Sequence, residues 1–249
     1  GLQAYLKHDS ASSLTDLSSN TNTGTVTNAT LNDGNDGTPS GSPESIVVRE
    51  GLNADKDGLG FPLKNADKNV LRILKKEYVV VKNTDSLDNI FFGGGTIEAW
   101  IKPSSDNAGN ARIFTHGTAD GSWFFNIGGE SGGDCTIRLY IDWASTDGQW
   151  TTSNRDITLD EWNHVLATYD RTDLANNVII YVNGDSKSLT EVTPVGASVA
   201  NTGNDLYIGN RSLQDRSYDG LIDEVRIYNR ILSPAEVTKN YKHGKGKHS

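Results

Sequence analysis

Methionine is absent from the 249 residues and cysteine occurs once, at Cys135. One cysteine excludes an intrachain disulfide and any C-x-x-C chemistry. Its neighbours are Asp134 and Thr136, with no Lys, Arg or His adjacent to activate it, so Cys135 reads as a buried, inert thiol. The missing Met is what a processed precursor or a fragment would show. Long apolar runs are missing too, so no segment reads as a membrane span. Positive charge is in the minority, with 23 Lys and Arg against 32 Asp and Glu, a net charge of −9. That balance argues against nucleic-acid binding through phosphates. It is compatible with solubility or with cation binding. The five histidines show no metal-ligand spacing, and there is no G-x-S-x-G or P-loop motif.

What the chain has instead is glycine, 26 residues of it, between short runs of alternating apolar and polar residues. Thr96–Pro103 sets Ile97, Ala99 and Ile101 on one face and Glu98 with Trp100 on the other. Thr136–Trp143 sets Ile137, Leu139 and Ile141 against Arg138, Tyr140 and Asp142. Val178–Val182 is an apolar strand, and Asn183-Gly184 after it is the strongest hairpin signal, because both positions tolerate positive φ. Leu189–Val192 reads as the returning strand, and Gly148-Gln149-Trp150 as a turn. Leu2–Leu6 opens the chain as a short strand. Helical patterning of ordinary length is lacking before Ser233. About a dozen short strands predict an all-β chain folded as a two-sheet antiparallel sandwich, in one domain over residues 1–249.

The organising stretch is Asp219–Tyr241. In Leu221–Tyr228, strict alternation sets Ile222, Glu224 and Arg226 on one face and Asp223, Val225 and Ile227 on the core face. Ser233-Pro234-Ala235-Glu236 then starts a helix with a capping box and Pro at its first position. The glycines of HGKGKHS are expected to stop it after about two turns. Residues 32–69 form a loop-rich elaboration, and residues 239–249 a basic tail.

GLIDEVRIYNRILSPAEV closely resembles the closing segment of laminin-G-like domains of the concanavalin A-like lectin/glucanase superfamily. GLQAYL, TIEAWIKP, DEWNHVLATYD, VIIYVNG and LYIGN match the same family in order. The resemblance spans nearly the whole chain. It implies a jelly-roll sandwich with a short C-terminal helix, the first strand lying beside the closing strand. It is weak for activity, because this fold hosts lectins, glycosidases, lyases, adhesion modules and virion proteins.

Glycosidases of this fold carry two acids on one strand as E-x-D-x-x-E or E-x-D-x-E, so that both face the substrate. No such pair occurs here. Glu98 and Asp142 each stand alone, and Asp223-Glu224, being adjacent, point to opposite sides of a strand. The expectation is therefore a protein that is not an enzyme. The ending resembles stand-alone phage virion proteins, which implies a bacteriophage decoration protein bound to capsid or other virion proteins, or adhering to host-surface glycans, and assembling as a homo-oligomer. The alternative is an extracellular carbohydrate-binding adhesion module of a secreted bacterial protein, and a third reading is a glycosidase or lyase. The tail or the 32–69 elaboration is expected to touch another copy or a capsid protein.

Two ligand sets are expected. Trp100, Trp123, Trp143 and Trp150 are candidates for stacking on sugar rings, one or two of them exposed, against the ordinary reading of Trp as core. Trp162 reads as core. Asp16–Gly24 resembles a D-x-S-G-N-x-N-x-G loop of the family. Its Asp16, Asn20 and Asn22 are oxygen donors of the type calcium prefers, though an Asx-turn loop explains them as well. Related glucanases hold calcium with the Asp of the closing strand, which corresponds to Asp223. A salt bridge from Asp223 to Arg226, Arg230 or a lysine is the competing account.

Overall fold

The computed structural model describes residues 77–117, 123–173 and 175–248, and before them strand segments within 6–73. Early strands are β1 (Leu6–Ser10), β2 (Ser13–Asp16), β3 (Thr23–Thr27), β4 (Thr30–Asn32), β5 (Val70–Ile73) and β6 (Tyr78–Val81). The middle of the chain forms β7 (Gly95–Ser105), β8 (Ala111–His116), β9 (Trp123–Ser131), β10 (Asp134–Ile141), β11 (Gly148–Thr152) and β12 (Ile157–Thr158). Then come β13 (Asn163–Tyr169), β14 (Ile179–Val182), β15 (Asp185–Ser186), β16 (Leu189–Val192), β17 (Leu206–Ile208), β18 (Asp219–Tyr228) and the helix α1 (Pro234–Lys245).

All pairings are antiparallel. The larger sheet has the order β1-β2-β3-β6-β17-β8-β9-β10-β11-β16, with β12 against β10. The smaller runs β15-β14-β13-β7-β18-β5-β4. Alternation explains how they face each other. Cys135, Ile137, Leu139 and Ile141 of β10 are fully buried, as are Ile97, Ala99 and Ile101 of β7 and Val165 and Ala167 of β13. These side chains join one apolar core with Phe91, Trp123, Phe125 and Trp150. The sandwich and its C-terminal helix are as the sequence predicts.

Five local expectations are corrected. Of the first strand expected at Leu2–Leu6, residues 2–5 lie outside the described residues, and Leu6 belongs to β1, which sits in the larger sheet and not beside β18, whose partners are β7 and β5. Strict alternation fails in β18. Asp223 pairs with Trp100 and Arg226 with Glu98, so Glu224 and Val225 together oppose Ala99 in a β-bulge. Glu224 sits there at φ 49°. The extra residue puts Ile222, Val225 and Ile227 in the core and leaves Asp223 off it.

Gly148–Trp150 is strand, because β11 pairs along β10. Leu189–Val192 does not return from the Asn183-Gly184 turn. β15 does that, and β16 crosses to the other sheet to pair with β11. The helix, finally, runs for 12 residues through Gly244. Its capping box forms as expected, with Ser233 Oγ accepting from Glu236 N and the Glu236 carboxylate accepting from Ser233 N.

Helix α1 lies across the outer face of the smaller sheet. Val237 packs with Leu166, Tyr181, Tyr228 and Leu232. Asn240 Nδ2 donates to Glu98 Oε2 at 2.8 Å. The Tyr241 ring stacks on Trp100 at 5.8 Å, and a Cβ at Gly244 would collide with the Trp100 indole. Val237, Asn240, Tyr241, Gly244 and His248 form one stripe at helical spacing. Glycine at 244 therefore allows the helix to approach the sheet closely.

Candidate functional site

Two groups of chemically capable side chains stand on the outer faces of the sheets. The first lies beneath α1. β7 contributes Glu98 and Trp100, β13 His164, and the bulged β18 Asp223, Glu224 and Arg226. Glu98 and Arg226 are buried and ion-paired, and Arg226 also pairs with Glu224. Lys247 Nζ reaches Glu224 Oε1 at 2.5 Å. His164 Nε2 stands 3.3 Å from Glu98 Oε1. Burial pushes Glu98 upward, but Arg226, His164 and Asn240 outweigh it and hold the carboxyl low. Burial opposes Glu224 in the same way, and Arg226 and Lys247 bring it to about 2.

Asp223 behaves oppositely. Burial and the neighbouring Glu224 push it up to about 7. Its Oδ1 accepts from Glu224 N at 2.7 Å, and its Oδ2 lies 3.4 Å from His248 Nε2. The acids are thus present but closed in by the helix and the residues after it. Glu98 has no exposed side-chain surface and Glu224 only 5%. A carboxylate that is ion-paired and sealed cannot reach a substrate in this arrangement.

The second group is on the outer face of the larger sheet. Because β10 alternates cleanly, Thr136, Arg138 and Tyr140 share that face and are half-buried. Phe124 of β9 stacks under Tyr140 at 4.4 Å, with the ring planes 12° apart. The Arg138 guanidinium lies 5.5 Å from the Phe124 ring centre. Its Nε donates to Asn126 Oδ1 at 3.1 Å and its Nη1 to Gln149 Oε1 at 3.4 Å. Tyr140 Oη donates to Asp147 Oδ2 at 2.6 Å. This leaves Arg138 Nη2 and Gln149 Nε2 as donors with no hydrogen-bond partner among the described residues. Burial lowers the Arg138 pKa, consistent with a guanidinium partly stripped of water. Phe124 is itself buried, with the Arg112 guanidinium 3.1 Å from its ring centre, so the aromatic surface here is the Tyr140 ring, edged by donors.

The predicted site residues fall as follows. Trp100, Trp123, Trp143 and Trp150 are all buried, none more than 6% exposed. The expectation that one or two of them offer a free ring is corrected. Trp123 and Trp150 are inward residues of their strands, and Trp100 is covered by α1. Trp162, read as core, is the half-exposed one and packs on His248 at 4.4 Å. Asp16 ends β2, and Asn20 and Asn22 lie outside the described residues. β2 belongs to the larger sheet and Asp223 to the smaller, so the neighbouring strands that were to join them in one calcium site are not neighbours. Of the alternative salt-bridge partners, none among the described residues pairs with Asp223, which faces His248. Among the described residues no group of three or more His, Cys, Asp or Glu could hold a metal.

The tail from Lys239 is part of α1 and of the cluster beneath it, packed on its own domain. The 32–69 elaboration lies outside the described residues, apart from Asn32 at the end of β4. The residues that sequence reasoning passed over are Phe124, Asn126 and Gln149. Their signal was the partner face of β10, which needs strand pairing to be seen.

An antiparallel two-sheet sandwich of this kind is an architecture that lectins and glucanases share. Within that class, residues 75–238 match the concanavalin A-like lectin/glucanases superfamily, and the chain belongs to it, in its laminin-G-like branch. No curated protein sequence matches the chain. Among solved structures, the binding domain of Paraclostridial Mosquitocidal Protein 1 is similar with a TM-score of 0.61 and 19% identity, covering 97% of this chain and 52% of that one. The binding domain of Botulinum Neurotoxin DC in complex with SialylT gives 0.60 and 13%, covering 96% and 51%. The Botulinum Neurotoxin serotype G binding domain gives 0.59 and 16%, covering 98% and 51%. The chain spans about half the length of these structures. At such identities the likeness is one of fold.

Proposed function

We propose that this protein is a non-catalytic binding module whose ligand is a carbohydrate, held on the outer face of the larger sheet at Arg138, Tyr140 and Gln149. The observation that carries the reading is the half-buried Tyr140 ring, backed by the buried Phe124, beside two open donors, Arg138 Nη2 and Gln149 Nε2. Sugars present apolar C–H faces and many acceptor oxygens, so a ring beside planar donors suits them. A guanidinium donor adds preference for a carboxylate-bearing sugar. The lectin-like fold supports the reading, as does a similar binding domain solved with SialylT. The closed state of Glu98 and Glu224 supports a role without catalysis. Display on a phage particle, as the resemblance of the ending implies, is one setting in which such a module would meet host-surface glycans.

The test is a titration of sialylated and neutral oligosaccharides against the full chain and its Arg138→Ala and Tyr140→Ala variants. Binding by the parent, weakened at least tenfold in either variant while the variant stays folded by its near-ultraviolet spectrum, is expected. A parent that binds no member of the panel, or variants that bind as well as it does, would overturn the proposal. A reducing-sugar assay that detects cleavage would overturn its non-catalytic half.

A further inference from the structure

The residues that follow α1 occupy a slot with the character of a ligand site. Trp100 forms one wall and Trp162 the other. The His248 ring sits between them, 4.5 Å from the first and 4.4 Å from the second. Asp223 and Glu224 form the floor, the first 3.4 Å from His248 Nε2 and the second 2.5 Å from Lys247 Nζ. Around them stand Arg226, paired to Glu224 and Glu98, and His164. Buried polar atoms remain unpaired here: Trp100 Nε1, both ring nitrogens of His164 and His248 Nε2 have no hydrogen-bond partner, so His248 is held by its ring contacts. Two aromatic faces beside a carboxylate make a receptor for a flat imidazole, neutral where it sits, next to an ammonium that pairs with Glu224.

The attachment of this segment is by side chains. Lys247 N and His248 N both donate to Gly244 O, within the helix's own last turn. Among the described residues no backbone bond ties 246–248 to the sheet. Gly246 between them has open space where a Cβ would be. A contact made through two side chains on a short segment can be made equally by those side chains on another chain.

We propose that the Trp100–Trp162 slot is a recognition site for a basic peptide segment that carries an imidazole beside an ammonium, and that the chain's own Lys247-His248 is its resident, displaceable occupant. This inference is independent of the glycan face, which lies on the other sheet.

The experiment titrates a synthetic HGKGKHS peptide, the sequence of residues 243–249, into the full chain carrying Lys247→Ala and His248→Ala, followed by Trp fluorescence and calorimetry. Saturable binding is expected, at least tenfold tighter than to the parent, whose own tail competes. Adding Trp162→Ala should abolish it, and a peptide with Ala at its second Lys and second His should not bind. No binding by a variant whose near-ultraviolet spectrum matches the parent would overturn the proposal, as would equal binding to both chains. If the variant does not fold, the parent is titrated at millimolar peptide. A saturable fluorescence change that the Ala peptide fails to produce supports the slot, and its absence overturns it.

Discussion

Asp223 is the residue whose environment says most about this molecule. Its pKa rises from 3.8 to about 7 on folding, chiefly through burial and secondarily through Glu224. An acid with a raised folded pKa favours folding while it keeps its proton. That contribution is complete below pH 3.8 and is lost as the pH climbs through about 7. Asp223→Asn should therefore match the parent in acid and exceed it in stability above pH 7. One pKa unit corresponds to about 1.4 kcal/mol, and residual hydration reduces the full difference, so a gain on the order of 1–2 kcal/mol is expected. Thermal melts at pH 4 and pH 8.5 would check it, and no difference between the two pH values would contradict the burial.

Cys135 gives a second test. Burial, with Asp106 and Glu130 nearby, pushes its thiol up to about 12. Labelling by a thiol reagent at pH 8 should proceed only as fast as the protein opens, and at once in denaturant. The inert thiol was legible from its neighbours alone, and so was the shared face of Glu98 and Trp100. The side of the sheet taken by Asp223 was not. A bulge changes orientation without any local mark, and here its left-handed position is filled by Glu224, held by Arg226 and Lys247, and not by the glycine that would have announced it.

At the scale of the element, α1 shows how a start signal can be read and a stop signal misread. Ser233, Pro234 and Glu236 act as local chemistry dictates. Ser233→Ala removes the acceptor for Glu236 N and should lower stability by about 1 kcal/mol, measured by denaturant unfolding. Gly244 does not end the helix, because its worth is in the space it leaves for Trp100. Gly244→Ala must push a methyl into the indole and should destabilise by about 1–3 kcal/mol. Gly246→Ala meets nothing within 4 Å at φ −69° and should be neutral or slightly stabilising. Comparing the two variants separates packing from helix propensity, which would favour alanine at both sites. The stripe from Val237 to His248 was present in the sequence. It went unread because an amide, a glycine and a histidine occupy positions where apolar residues are the usual sign of a buried helix face.

At the scale of the whole molecule, the two-sheet sandwich followed from period-2 patterning, but the membership of each strand did not. Pairing between β17 and β6 or β16 and β11 joins segments far apart in the chain, and alternation is blind to it. The same blindness made the tail look expendable. Deleting Lys242–Ser249 tests what the tail does. Read as a solvated end, it should leave the melting temperature nearly unchanged.

The structure gives a different result. The deletion removes the last turn of α1, the Gly244 contact with Trp100, the Lys247–Glu224 ion pair and the ring that His248 inserts between two tryptophans. Glu224 then depends on Arg226 alone, and Trp100 gains a wet face. Opposing this, water reaching Asp223 lets it ionise at less cost. The first set is larger, since a buried aromatic contact and a paired charge are both lost, on the order of 2–4 kcal/mol in sum. For a chain of this length that corresponds to a fall of roughly 5–15 °C. Acid should imitate the deletion in part. Burial holds His248 at about 4, below its usual 6.5, so its contribution is present above 6.5 and lost as the pH falls through about 4. The gap in melting temperature between full and shortened chains should accordingly narrow from pH 7 to pH 4. A gap that is absent at pH 7 would mean that the tail does not pack on the smaller sheet in solution.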